Sequence, residues 1–123
     1  MAAQNQGRLF DHVQLTVKDA GKSKRFYRAT LAALGLKPDD ESGGAFGQGQ
    51  LYLGEGDPGS RVHLAFVAAD AAQVRRFHAA GLDAGGRDNG AAGPRPDYSP
   101  GYYAAFLLDP DGNNVEAVFH GAK

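Results

Sequence analysis

His12-Val-Gln-Leu-Thr-Val-Lys-Asp19 and His63-Leu-Ala-Phe-Val-Ala-Ala-Asp70 follow one pattern: a histidine opens an apolar strand that closes on an aspartate. At the same offset Arg25-Phe26 falls on Arg76-Phe77, and after a short contraction Gly35-Leu36 falls on Gly81-Leu82. Any single match could be chance. An ordered set of them is the mark of an internal repeat, and the repeat decides the fold.

Working outward, residues 10–17 alternate as a strand, and Asp19 is placed to cap a helix whose apolar stripe is Phe26, Tyr27, Ala29, Leu31 and Leu34. Gly35 suits the helix C-terminus. In the second half a strand over residues 61–68 leads to Asp70, with Gln73 three residues on, a variant of the capping box. The helix that follows carries Val74 and Phe77 and is expected to stop at Gly81. Three short strands should follow each helix, near residues 37–41, 44–46 and 50–53, then 83–88, 102–108 and 114–119. Residues 54–60 read as a linker, 90–101 as a Gly/Pro-rich loop, and Asp109-Pro-Asp-Gly112 as a turn. The expected fold class is α+β. Two tandem βαβββ modules, about residues 9–54 and 61–119, form a curled mixed-sheet cup with the helices outside. They make one domain over 9–123, behind a flexible tail of residues 1–8.

Composition narrows the function. The 123 residues suffice for one real core, and 42% hydrophobic with 22% charged is a globular profile. A net charge of −1 gives no basic surface for nucleic acid, and no apolar run nears the roughly 20 residues that cross a bilayer. The opening MAAQNQGR lacks the apolar stretch of a secretory signal. With no cysteine there is no disulfide framework, thiolate zinc site or cysteine nucleophile, and the reducing cytoplasm is the default compartment. Any metal must be held by nitrogen and oxygen, from four histidines and fourteen carboxylates.

Strand alternation says where the candidates point. In the first strand Val13, Leu15 and Val17 share the face a helix must cover, so His12 and Gln14 lie opposite. Val62, Leu64 and Phe66 place His63 on the corresponding non-helical face. If Val115 and Phe119 meet the helix layer, Glu116 joins the two histidines. Two imidazoles and one carboxylate around a cation leave adjacent positions open, which suits a ligand held through neighbouring oxygens. A carboxylate inside an apolar strand needs such a partner if buried. His78, on the second helix, and His120, near the end, are expected to be exposed and outside the site.

These residues resemble a known family. Phe10-Asp-His12-Val-Gln-Leu-Thr-Val-Lys-Asp19, Ser23-Lys-Arg-Phe26-Tyr27 and Phe106-Leu-Leu-Asp109-Pro-Asp-Gly112-Asn-Asn-Val-Glu116 are similar to the vicinal oxygen chelate superfamily, over residues 9–119. That superfamily includes glyoxalase I, extradiol dioxygenases, fosfomycin-resistance enzymes and metal-free bleomycin-resistance proteins. The resemblance implies His12, His63 and Glu116 as ligands of a divalent ion (zinc, nickel, manganese, iron or cobalt), and a homodimer. Glyoxalase I adds a fourth-strand carboxylate that also acts as base; the corresponding position here is Gln50 or Tyr52, neither of them a carboxylate. The two-His-one-Glu set is closer to the fosfomycin-resistance enzymes, although Gln14 stands where those carry threonine and their basic phosphonate loop is not recognisable here. Extradiol dioxygenases normally use twice as many modules.

The loop before the seventh expected strand supplies further candidates. Arg87 and Arg95 could hold a carboxylate or phosphate, and Tyr98, Tyr102 and Tyr103 could stack on a ring or give a proton. Only one of Tyr102 and Tyr103 can face the cup. Grouping Tyr102 with Ala104, Phe106 and Leu108 makes Tyr103 the inward one, the expected proton-moving partner of Glu116. Gln14, Gln50 and Tyr52 complete the expected substrate wall. The expected activity is a metal-dependent lyase, isomerase or transferase on a small substrate. The alternative is a non-catalytic small-molecule or antibiotic-binding protein.

Overall fold

The computed structural model describes residues 10–121, so the expected tail of residues 1–8 lies outside it. The chain runs β1 (Val13–Val17), α1 (Ala20–Ala33), β2 (Ala45–Phe46), β3 (Leu51–Glu55), β4 (His63–Val67), α2 (Ala71–Asp83), β5 (Arg87–Pro94), β6 (Tyr103–Leu108) and β7 (Asn114–Phe119). Both helices begin as their sequences require. The Asp19 carboxylate accepts the Lys22 N–H at 3.0 Å and the Asp70 carboxylate accepts the Gln73 N–H at 2.8 Å. Gln73 reaches back and accepts the Ala69 N–H at 2.8 Å, one residue further out than a standard capping box.

The strands form two sheets, in the orders β1-β3-β2 and β4-β7-β6-β5. In each, the strand before the helix pairs in parallel with the last strand of its half: β1 with β3, and β4 with β7. The tandem α+β repeat is therefore present in the backbone. The register also settles an alignment. Val13 pairs with Leu51 and its counterpart Leu64 pairs with Val115, so Tyr52, not Gln50, is the counterpart of Glu116.

Three expectations are corrected. No strand forms over residues 37–41, where only an isolated Pro38–Phe46 bridge remains. The Asp39 carboxylate there accepts the Gln48 and Gly49 N–H groups, and Asp40 accepts from Ser42 and Gly43. The Asp40 bonds are local turn bonds that compete with a sheet ladder, while Asp39 reaches across to the turn before β3. The fifth strand starts at Arg87 rather than 83 and extends to Pro94, into the expected loop, with register shifts on either side of Gly90. Finally, α2 passes through Gly81 and stops at Asp83; the left-handed residue is Gly85, at φ 98°. Gly81 instead permits close packing, since a Cβ there would sit 2.2 Å from Leu107 Cδ1.

One core serves both halves. Leu15, Val17, Phe26, Leu31, Val74, Phe77, Leu107 and Val115 belong to a single buried cluster. Each sheet thus turns one face to the helices. Its other face remains open: His12, Gln14 and Tyr52 are exposed on the first sheet, and His63, Ala65 and Val67 on the second, Val67 at 83%. Among the described residues no helix is long and apolar enough to cross a membrane.

Candidate functional site

Glu116 is the focus of the second sheet's open face. It is only 2% exposed, because Val115 and Ala117 enter the core on either side and neighbouring side chains cover the carboxylate. His63 Nε2 lies 3.0 Å from Glu116 Oε1, and the Tyr102 hydroxyl donates to Oε2. Burial first, then the Glu116 hydrogen bond and charge, push the Tyr102 phenol up to about 12. Tyr102 therefore stays a neutral donor through the physiological range.

The His63 ring is fixed from its other side. Nδ1 lies 3.1 Å from the Asn114 carbonyl, which can only accept, so Nδ1 carries hydrogen in that bond. Nε2 then faces a buried carboxylate oxygen, and the two electron-rich atoms need a cation, a second proton or a metal, between them. His12 is set up in the same manner. Its Nδ1 lies 2.8 Å from Asp11 Oδ1, leaving Nε2 as the donor atom. Metal-ligating imidazoles commonly have their second nitrogen tied to a carboxylate or carbonyl in this way. The donor chemistry of His12, His63 and Glu116 therefore fits a divalent ion.

The structure brings two of these three together. His63 and Glu116 are in contact on the second sheet, while His12 stands on the first, its ring edge-on to Tyr52 at 5.8 Å. Among the described residues no group of three His, Asp or Glu side chains is placed to hold an ion within one chain.

The tyrosine assignment is reversed. Tyr102 reaches Glu116, while Tyr103 packs against the core and its hydroxyl meets Arg75 Nη1 of α2 at 3.4 Å. The set facing the helices is Tyr103, Ala105 and Leu107. Phe106 thereby joins the open face, nearly parallel to the His63 ring at 6.4 Å. Arg95 lies over Phe106, its Cζ 5.4 Å from the ring centroid. Tyr98 is 61% exposed and edge-on to Tyr102 at 5.0 Å, while Arg87 is exposed at the start of β5. Gln50 is exposed beside β3, and Gln14 lines a cleft of about 530 Å³ with Thr16, Ser60, Arg61, Val62 and Asn113, whose walls include neither His63 nor Glu116.

Of the remaining histidines, His78 departs from expectation. The His78 side chain is only 15% exposed and pairs with Asp88 Oδ1 at 2.9 Å. The hydrogen bond from the Gly90 backbone, and then that from His78, lower the Asp88 pKa. His120 is exposed, as expected, but its ring lies edge-on to Tyr102 at 5.0 Å, a neighbour that only the strand pairing reveals.

Comparison with known proteins agrees with this architecture. A family model described as the Glyoxalase/Bleomycin resistance protein/Dioxygenase superfamily matches residues 9–117. Among solved structures, a glyoxalase/bleomycin resistance protein from Albidiferax ferrireducens T118 is similar at TM-score 0.72 and 32% identity, covering 90% of this chain and 98% of that one. A glyoxalase-related enzyme from Fulvimarina pelagi (TM-score 0.66, 20% identity, 91% and 88% covered) shares the fold. So does a lactoylglutathione lyase from Agrobacterium tumefaciens (TM-score 0.63, 21% identity, 91% and 93% covered). No curated protein matches the chain.

Proposed function

This chain belongs to the Glyoxalase/Bleomycin resistance protein/Dioxygenase superfamily, and on that premise we propose that it is a metal-dependent enzyme of the lyase, isomerase or transferase type. Its substrate is a small molecule chelated through adjacent oxygens. The observation that carries the reading is the shared preparation of two histidines, each with Nδ1 tied to an acceptor, one with Nε2 aimed at a buried glutamate. His63 and Glu116 of one chain would hold the ion, with His12 as the third ligand. When bound, the ion supplies a positive centre that stabilises negative charge developing on substrate oxygens.

His12 comes, in this proposal, from a second copy of the chain. The open faces of the two sheets belong together by the repeat, and β1 and β4 are both edge strands. Laying one chain's β1 sheet opposite another's β4 sheet would make a cup and complete the ligand set. It would also cover the exposed Val67 and Tyr52. The chain's residues then have distinct tasks. Tyr102 keeps Glu116 oriented and offers a hydroxyl proton beside it, and Phe106 presents a flat apolar surface to the substrate. A cysteine-free chain of this kind is assigned to the cytoplasm.

Metal analysis of protein prepared without chelator tests this reading. A tightly held divalent ion, lost in His63→Ala and in Glu116→Gln, is the expected result. Absence of any ion, with no uptake on titration, overturns it. A second reading, a protein that sequesters a planar ligand without catalysis, draws on the aromatic group Tyr98, Tyr102 and Phe106. It requires ligand affinity that survives His63→Ala and Glu116→Gln.

A further inference from the structure

The open face of the second sheet carries an ordered row of side chains. Along the ladder Ala65 of β4 is opposite Glu116 of β7, Glu116 is opposite Phe106 of β6, and Phe106 is opposite Gly90 of β5. Position 90 has no side chain, yet its place in the row is filled. A Cβ built there would lie 3.0 Å from Phe106 Cδ1 and 3.4 Å from Arg95 Nη2. The guanidinium folds back into the space that glycine leaves.

That seat is built. Arg95 Nη2 donates to the Ala91 carbonyl at 2.8 Å, and Nη1 donates to the Gly93 carbonyl at 3.0 Å and the Pro94 carbonyl at 3.3 Å. Gly93 is also tight against it, since a Cβ there would come within 3.3 Å of Nη1. The register shifts around Gly90 and Gly93 are the irregularities of β5 that accompany this seat. Carbonyl dipoles and the Phe106 ring orient the guanidinium but carry no formal charge. Among the described residues the ion pairs are His12–Asp11, His63–Glu116 and His78–Asp88, so no carboxylate neutralises Arg95. A fixed, uncompensated guanidinium keeps part of its five-donor fork for an oxyanion.

We propose that the ligand is two-ended: adjacent oxygens bind at the His63–Glu116 end, a carboxylate or phosphonate is held by Arg95, and a planar middle rests on Phe106. This deepens the function proposed above and rests on it. β5 lies two strands from β7, roughly 10 Å at the usual strand spacing, a span suited to one ring with a substituent at each end.

The test is calorimetric titration of the full chain loaded with Co²⁺, using 3,4-dihydroxybenzoate and its neutral amide, 3,4-dihydroxybenzamide. Both offer adjacent oxygens and a ring, and only the first bears the anion. The benzoate should bind about tenfold tighter or more, the gain expected of a charge-assisted contact. Arg95→Gln should erase that preference, so that the benzoate binds no tighter than the amide. Equal affinities in the wild-type chain, a comparison that needs no variant, overturn the assignment of Arg95 and leave the metal reading standing. Persistence of the preference in Arg95→Gln does the same. If neither compound binds, the chelation reading falls and this inference falls with it.

Discussion

A carboxylate as buried as Glu116 is tolerated because His63 and Tyr102 meet it from two sides. Glu116→Gln keeps an acceptor for Tyr102 and gives His63 Nε2 a donor. Stability without metal should therefore stay within about 1 kcal/mol by urea denaturation, while divalent-ion affinity falls at least tenfold. Glu116→Ala, which strands both partners, should cost about 2–4 kcal/mol. Tyr27 makes a similar bond away from the site, donating to Asp109 Oδ2 at 2.5 Å. Burial, and then the Asp109 charge, push its phenol well above the usual value. The unfolded chain loses that proton first, near its ordinary value of about 10. Stability is thus fully present below that pH and falls as pH rises from there through the folded-state value. Tyr27→Phe should lower stability by about 1–2 kcal/mol at neutral pH and flatten the alkaline decline, as read from denaturation midpoints between neutral and alkaline pH. At this scale alternation made the His63 and Glu116 faces legible, because their neighbours Leu64, Phe66, Val115 and Ala117 are apolar. It failed at Tyr102 and Tyr103. Ala104 and Ala105 follow them and are both fully buried, so no polar residue marked which set met the helices.

Among the elements, the two helices were readable down to their caps, since Asp19 and Asp70 act through bonds to residues three positions on. The ends of α2 and β5 were less so. Gly81 looks like a stop signal, but its role is to let Leu107 and Thr30 approach. Gly81→Val should therefore overpack the junction of α1, α2 and β6 and cost about 1–3 kcal/mol or more. Gly59→Ala, with open space around it and no positive φ, should leave the denaturation midpoint nearly unchanged. β5 was partly hidden because Gly90 to Pro94 has turn composition, and its pairing with β6 through two register shifts is set by long-range partners. The polar stretch near Asp39 and Asp40 was misread in the opposite sense, as a strand where aspartate side chains bond the backbone of two turns, one local and one nine to ten residues on.

Over the whole molecule, the repeat in the sequence became a repeat in the sheets, parallel pair for parallel pair. Alternation places each residue on a face of its own sheet but does not relate one open face to the other. His12 stands on one sheet, His63 and Glu116 on the other, and the shared helical core holds the inner faces of both. In the proposed function the ligand set closes only between two copies. Subunit complementation tests it most directly: His12→Ala and Glu116→Ala chains, each deficient in metal binding alone, are unfolded together, refolded as a mixture and assayed for tightly held divalent ion. A site shared between chains predicts recovery of about a quarter of the wild-type sites, from random pairing in a twofold dimer. No recovery in a mixture shown to contain mixed dimers would contradict it.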